Sequence, residues 1–235
     1  MPNTTKIPQH PAKFSDPILV VINEVLAAES KRQGRLLRVL DPMAGVGRIH
    51  ELDRQYVSET IGVEIETEWA MAHPGTEQGD ATALRWPDGA FSVTISSPPY
   101  ANRMADSFNA RDNSRRITYK HLLGRDLTPG SGARLQWGNA YREWASRVLD
   151  EMIRVTEEGG LVCINISNHI RNFKEQPVSE WWRDKMIASG LKLEKSIPIR
   201  TSRMRFGENN AARVKNEWLF VMRKPLNKTK ESRSK

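Results

Sequence analysis

Cysteine is nearly missing from this chain: its 235 residues contain one, Cys163, inside the apolar run Leu161-Val162-Cys163-Ile164-Asn165-Ile166. One thiol allows no internal disulfide and no cysteine-based zinc site, and the expected compartment is a reducing cytoplasm. No metal-ligand spacing is read elsewhere, so no metal is expected. Long hydrophobic runs are also missing, and the polar, proline-bearing first residues do not read as a signal peptide, so no membrane role is expected. Acidic residues are the minority: 28 Asp+Glu stand against 36 Lys+Arg, a net charge of +8. That balance favours a polyanionic partner and says nothing about fold. There is no Gly-Lys-Ser/Thr phosphate loop, and the glycine turn that does occur lacks the third glycine of a dinucleotide fingerprint.

Strand-like and helix-like segments alternate. Ser15 to Ser30 reads as an amphipathic helix with an N-cap. Residues 35–42 read as a strand, 46–55 as a helix, 60–66 as a strand, 67–73 as a short helix and 91–96 as a strand. Residues 140–160 read as a long helix stopped by Gly159-Gly160, and 161–167 as a strand. Residues 178–190 read as a helix closed by Gly190, and 191–199 and 217–224 as strands. The rhythm predicts an α/β fold with a mostly parallel sheet and helices on both faces. The last two strands have no helix between them and are expected to pair antiparallel at one edge. Residues 1–224 then form one domain. Two arginine-bearing insertions, 101–139 and 200–215, break the rhythm, and the Lys/Ser/Thr-rich tail 225–235 is expected to be disordered.

"VLDPMAGVGRIHEL" places Asp41 at a strand end, followed by Pro42, Met43, Ala44, Gly45 and Gly47 in a turn that opens the expected helix. Glycines let the backbone pass close to a ligand, and an acidic residue here suits a ligand with an ammonium group. Glu64, 23 residues on, ends the next strand with Ile65 beside it, where a carboxylate accepts from ribose hydroxyls. Asp80 and Ala81, at the tip of a third strand, stand where an adenine amino group is accepted. An amino acid, a ribose and an adenine together describe S-adenosylmethionine.

The apolar strand 91–96 ends on Ser96, a further candidate for the cofactor, and runs into Ser97-Pro98-Pro99-Tyr100. Two prolines fix two φ angles and remove two amide donors, leaving carbonyl oxygens rigidly held. "DPMAGVG" followed by "SPPY" resembles the amino-methyltransferases of DNA, which alkylate the exocyclic nitrogen of cytosine (N4) or adenine (N6). The resemblance spans most of the chain. "HPAKFS", with Lys13 and Phe14, is similar to the segment that closes over the methionine part of the cofactor, and "NEWLFVMRK" to the family's last edge strand. It implies a Rossmann-like class I methyltransferase fold: a seven-stranded, mostly parallel sheet with an antiparallel edge strand. The implied activity is site-specific methyl transfer from S-adenosylmethionine to a flipped base in duplex DNA, with cytosine N4 favoured by the serine. Ser97 and the Pro98 carbonyl would bind the two amine hydrogens and localise the nitrogen lone pair toward the methyl group. Pro99 would lock the turn and Tyr100 would stack on the base.

In the insertions, Arg103, Arg111, Arg115, Arg116, Lys120, Arg203 and Arg205 are candidate phosphate contacts, with Phe108, Tyr119 and His121 as candidates to stack or to fill the gap left by the base. Trp144, Trp181 and Trp182 read as core, and His169 as structural. The sequence carries no block resembling a separate recognition domain. Target choice is therefore expected to rest on the insertions, on a partner chain or on low specificity, and a restriction-modification role is one setting beside a solitary phage or mobile-element enzyme. Three alternatives stay open: adenine N6, an RNA guanine-N2 enzyme with a similar Pro-Pro-aromatic motif, and a binding module without turnover.

Overall fold

The computed structural model describes residues 7–101, 118–200, 214 and 216–226. Its strands are β1 (Leu37–Asp41), β2 (Val57–Glu64), β3 (Thr76–Gln78), β4 (Phe91–Ser96), β5 (Thr156–Ile166), β6 (His169–Arg171), β7 (Lys174–Gln176), β8 (Lys192–Arg200) and β9 (Asn216–Arg223). The helices are α1 (Asp16–Gln33), α2 (Thr67–Ala70), α3 (Tyr119–Leu123), α4 (Asn139–Val155) and α5 (Val178–Ala188). Seven strands make one sheet in the order β3-β2-β1-β4-β5-β9-β8, while β6 and β7 form a separate hairpin. The first five pair parallel, and β9 runs antiparallel between β5 and the outermost strand β8. This is the mostly parallel α/β sheet that the alternating pattern predicts.

Both faces of the sheet are covered, so its central strands are apolar on both sides. Val93, Ile95, Leu161 and Cys163 point to one face and pack with Ile18, Ile22 and Leu26 of α1. Val162, Ile164 and Ile166 point to the other and pack with Tyr141, Val148 and Met152 of α4 and Trp182 and Met186 of α5. The two-residue period of β5 thus feeds two cores. Cys163 is fully buried, and burial pushes its thiol above the ordinary range, so it is a core residue. Trp182 is fully buried, as expected.

Several expectations fail for physical reasons. The helix expected over 46–55 is a single 3₁₀ turn, Arg48–Glu51. Tertiary hydrogen bonds compete for it. His50 is pinned by Thr60 at 2.8 Å and Thr76 at 2.9 Å, and Arg48 reaches the Phe14 carbonyl at 2.6 Å and Asp16 at 2.8 Å. The long helix does not run to Gly159-Gly160 but ends at Val155, where the Thr156 hydroxyl donates back to the Met152 carbonyl. The glycine pair lies inside β5, at a register shift opposite Phe91–Val93. A Cβ on Gly160 would sit 2.6 Å from the Ser92 carbonyl oxygen. The hairpin β6–β7 was not expected at all. Asn172 and Phe173 turn it with φ of 50° and 59°. Arg103, Phe108, Arg111, Arg115, Arg116, Arg203, Arg205 and the tail beyond residue 226, all given roles above, lie outside the described residues.

Candidate active site

The strand order reverses direction between β1 and β4, and a doubly wound sheet opens a crevice at the carboxyl ends of the strands at such a point. Asp41 ends β1, Glu64 ends β2 and Ser96 ends β4. The cleft above them encloses about 740 Å³, part of it open to solvent. It is lined by Lys13, Phe14, Asp41, Pro42, Met43, Ala44, Gly45, Glu64, Ile65, Asp80, Ala81, Ser97 and Pro99, all singled out from the sequence. The glycine turn and the double proline therefore share one cavity. The link between them is direct: Ser96 Oγ donates to Asp41 Oδ1 at 2.6 Å.

Backbone geometry explains the turn. Gly45 has φ 55°, and a Cβ there would lie 3.1 Å from the His10 imidazole. Gly47 has φ 80° and does not line the cleft; a Cβ on it would press on His50 and His73 at 2.9 Å. A single 3₁₀ turn follows in place of the expected helix, so no helix dipole acts at this site. Asp41 is buried and accepts from Ser96 and from Met43 N at 3.0 Å, yet burial outweighs these bonds and pushes its carboxyl up to about 7. Glu64 accepts from Gly45 N at 3.0 Å and Glu66 N at 2.9 Å, and burial likewise raises it to about 7, helped by the Glu66 and Asp41 charges. Among the described residues neither acid has an ion pair.

Sequence reasoning missed part of the wall. His10 packs edge-on to Trp69, with ring centroids 4.3 Å apart, and lies 5.2 Å from Tyr119. Burial lowers His10 to about 4, so the ring is neutral. Trp69 Nε1 donates to the Pro8 carbonyl at 3.2 Å, and Arg48 holds the Phe14 carbonyl, which together tie residues 8–14 against the cleft. "HPAKFS" carried that signal. Tyr119, a candidate to stack or to fill the gap left by the base, is buried beside Trp69 on the Glu64 side of the same cleft.

The second half of the 101–139 insertion closes the same cleft. Glu66 is buried and accepts from Thr128 N at 3.0 Å, Thr128 Oγ1 at 2.9 Å and Arg125 Nη1 at 2.8 Å. This clamp draws residues 124–133 over the cavity. Gly130 then sits so that a Cβ would lie 3.5 Å from Asp80 Oδ2 and 3.7 Å from Ile65 Cδ1. Gly132 lies so close to Trp144 that a Cβ would fall 2.3 Å from its indole. Trp144, read as core, is both buried and part of the cleft wall. Lys120 is ion-paired with Asp126 at 2.5 Å.

At the double proline, Ser97 and Pro99 line the cleft, whereas Pro98 and Tyr100 do not. The Pro99 carbonyl accepts from Tyr141 Oη at 2.7 Å, which in turn accepts from Trp182 Nε1 at 3.0 Å. α4 and α5 thus hold the motif from behind. Tyr100 is half-buried against the α4–α5 core, and its hydroxyl donates to Glu217 at 2.7 Å. His169, at the start of the hairpin after β5, is lowered to about 4 by burial. Phe173 at the hairpin tip is 73% exposed, between Arg171 and Lys174.

No protein-family model matches the chain, and no curated protein sequence matches it. Solved structures do. The N-methyltransferase NodS of Bradyrhizobium japonicum superposes with a TM-score of 0.52 at 9% identity, covering 90% of this chain and 99% of that one. The same protein in complex with S-adenosyl-L-homocysteine gives a TM-score of 0.50 at 7% identity, over 90% of this chain and 89% of that one. A SAM-dependent methyltransferase of Methanosarcina mazei gives 0.51 at 11% identity, over 82% and 94%. The [4+2]-cyclase SpnF gives 0.51 at 13%, over 93% and 85%. The chain has the Rossmann-like methyltransferase fold expected from its sequence. Because the fold also carries a cyclase, the chemistry has to be argued from the site.

Proposed function

We propose that this protein transfers a methyl group from S-adenosylmethionine to an exocyclic amino nitrogen of a nucleic-acid base, with cytosine N4 in duplex DNA as the first assignment. The observation that carries the reading is the shared cleft: Asp41, Gly45, Glu64 and Asp80 line the cavity that Ser97 and Pro99 enter from the next strand.

The donors fit this cofactor. Asp41 and Glu64 are buried acids without ion pairs among the described residues, and a ligand carrying ammonium and sulfonium charges would offset their desolvation. Asp80 and Ile65 face Gly130 across a gap that any side chain there would narrow, which suits a flat ring. Glu64 is placed for ribose hydroxyls, Asp80 for an adenine amine, and Lys13 and Phe14 for the methionine end. When bound, the cofactor supplies an electrophilic methyl on a sulfonium. The chain's part is to position and polarise the amine. Ser97 Oγ accepts one of its N–H groups at the cleft wall, and α4 keeps the prolines still through Tyr141. This is preorganised electrostatics, with no covalent intermediate.

Net charge +8, the arginines of both insertions, and the projecting Phe173 between Arg171 and Lys174 support a nucleic-acid partner. Target choice is assigned to the insertions or to a partner chain. The test is incubation with labelled cofactor and either duplex DNA or transfer RNA, followed by digestion to nucleosides. N4-methylcytosine is the expected product. N6-methyladenine or a methylated guanosine would reassign the base, and no label in either nucleic acid would refute the reading.

A further inference from the structure

Glu217 lies at the start of β9 and does not line the cleft, yet it is wired to the residue that does. Its Oε2 accepts from Tyr100 Oη at 2.7 Å and from Asn165 Nδ2 at 2.8 Å. Tyr100 Oη stands 3.1 Å from the Oγ of Ser97, a residue of the cleft wall. Asn165, fully buried on β5, also reaches Tyr100 Oη at 3.3 Å and Ser97 Oγ at 3.4 Å through the same nitrogen, while its Oδ1 has no partner. An amide turned the other way would set its oxygen against the carboxylate, so its NH₂ edge is the one held toward this group of oxygens.

Chemistry sets the direction of the chain. An ionised carboxylate only accepts, so the Tyr100 proton points at Glu217. The phenol oxygen is then left to accept from the Ser97 hydroxyl, and the free lone pair of Ser97 Oγ is turned toward the cleft. A serine alone is no base. We propose that Glu217 is a positioning residue that orients Ser97 through Tyr100 and receives the proton released by the methylated amine, an inference that rests on the amine reading above.

The step balances as a proton relay. The nitrogen that gains the methyl carries one excess proton and one positive charge. Its N–H bond breaks as Ser97 Oγ takes that proton; Ser97 passes its own hydroxyl proton to Tyr100 Oη, and Tyr100 passes its phenol proton to Glu217 Oε2. Both hydroxyls are regenerated, the amine becomes neutral, and Glu217 ends protonated until it releases the proton to water. The neighbouring histidine, His169, meets the Tyr100 backbone and is kept neutral by burial, its titration lowered to about 4.

The test uses the full-length protein and three variants, Glu217→Gln, Glu217→Asp and Tyr100→Phe. Tyrosine ¹³Cζ NMR, with Tyr100→Phe as the assignment, reads the relay without turnover. The Tyr100 resonance is expected to move in Glu217→Gln, where the hydroxyl loses its carboxylate acceptor; an unmoved resonance overturns the proposal. In single-turnover methyl transfer, Glu217→Gln is expected to slow the chemical step about 100-fold or more, the scale of general acid–base catalysis. It should leave the Kd for S-adenosylmethionine within about twofold, with Glu217→Asp restoring part of the lost rate. A Glu217→Gln protein with wild-type rate, or one that loses rate and cofactor affinity together without Asp rescue, refutes the relay. Wild-type protein that methylates no nucleic acid refutes the amine reading instead, and the Tyr100 resonance then decides the relay alone.

Discussion

Asp41→Asn separates the ligand-binding role of this acid from a structural one, because the two roles give opposite signs. The folded protein raises Asp41 from 3.8 to about 7, chiefly by burial, against hydrogen bonds from Ser96 and Met43. The stabilisation tied to its raised proton affinity is complete below about pH 4 and is lost as pH rises through about 7. At about 1.4 kcal/mol per tenfold change in proton affinity, the loss approaches about 4 kcal/mol by pH 8. Asparagine keeps Oδ1 as acceptor for Ser96 and Met43 but removes the charge. Its new NH₂ needs a partner, which offsets part of the gain, so the variant without ligand should be about 1–3 kcal/mol more stable than wild type at pH 8. The difference should shrink below about 1 kcal/mol at pH 4. Urea unfolding at the two pH values measures this, and calorimetry with S-adenosylmethionine should show binding weakened at least tenfold. A variant less stable than wild type by the same amount at both pH values would show that Asp41 is a structural acceptor and not a charge held for a ligand.

Gly45→Ala should cost about 1–2 kcal/mol of stability, since alanine pays for φ 55° and its Cβ presses on His10, and cofactor affinity should fall with it; thermal melts with and without ligand check both. Tyr141→Phe leaves the Pro99 carbonyl and Trp182 Nε1 without their shared partner, for a loss of about 1–3 kcal/mol. Its turnover should drop more than its affinity for S-adenosylmethionine, because the hydroxyl steadies the prolines and not the cofactor. Phe173→Ala should leave stability within about 0.5 kcal/mol of wild type, given its exposure, and weaken duplex DNA binding in a fluorescence-anisotropy titration.

Local patterns were readable where local forces decide. The apolar periods of α1, α4 and α5, the two-sided apolar run of β5 and the acid-then-glycine turn of Asp41–Gly47 follow from propensity and spacing within a few residues. The same window misread residues 46–55 as a helix, since nothing within it shows that His50 will be held by Thr60 and Thr76 or Arg48 by Phe14 and Asp16. Nor does it show that the Glu66 clamp on Arg125 and Thr128 brings Tyr119 and its segment to the Glu64 side of the cleft.

From the sequence alone follow the alternating sheet, the basic charge, the acids at the strand ends and the proline-locked turn, because each is written in neighbouring residues. Only the tertiary structure decides that Ser96 meets Asp41, that His10, Trp69 and Trp144 share one cavity, and that Glu217 reaches Ser97 through Tyr100. Those contacts join residues far apart in the chain. The reason is strand order: β4 lies beside β1 and β9 beside β5, and that order is set by the packing of whole faces, which no short stretch encodes.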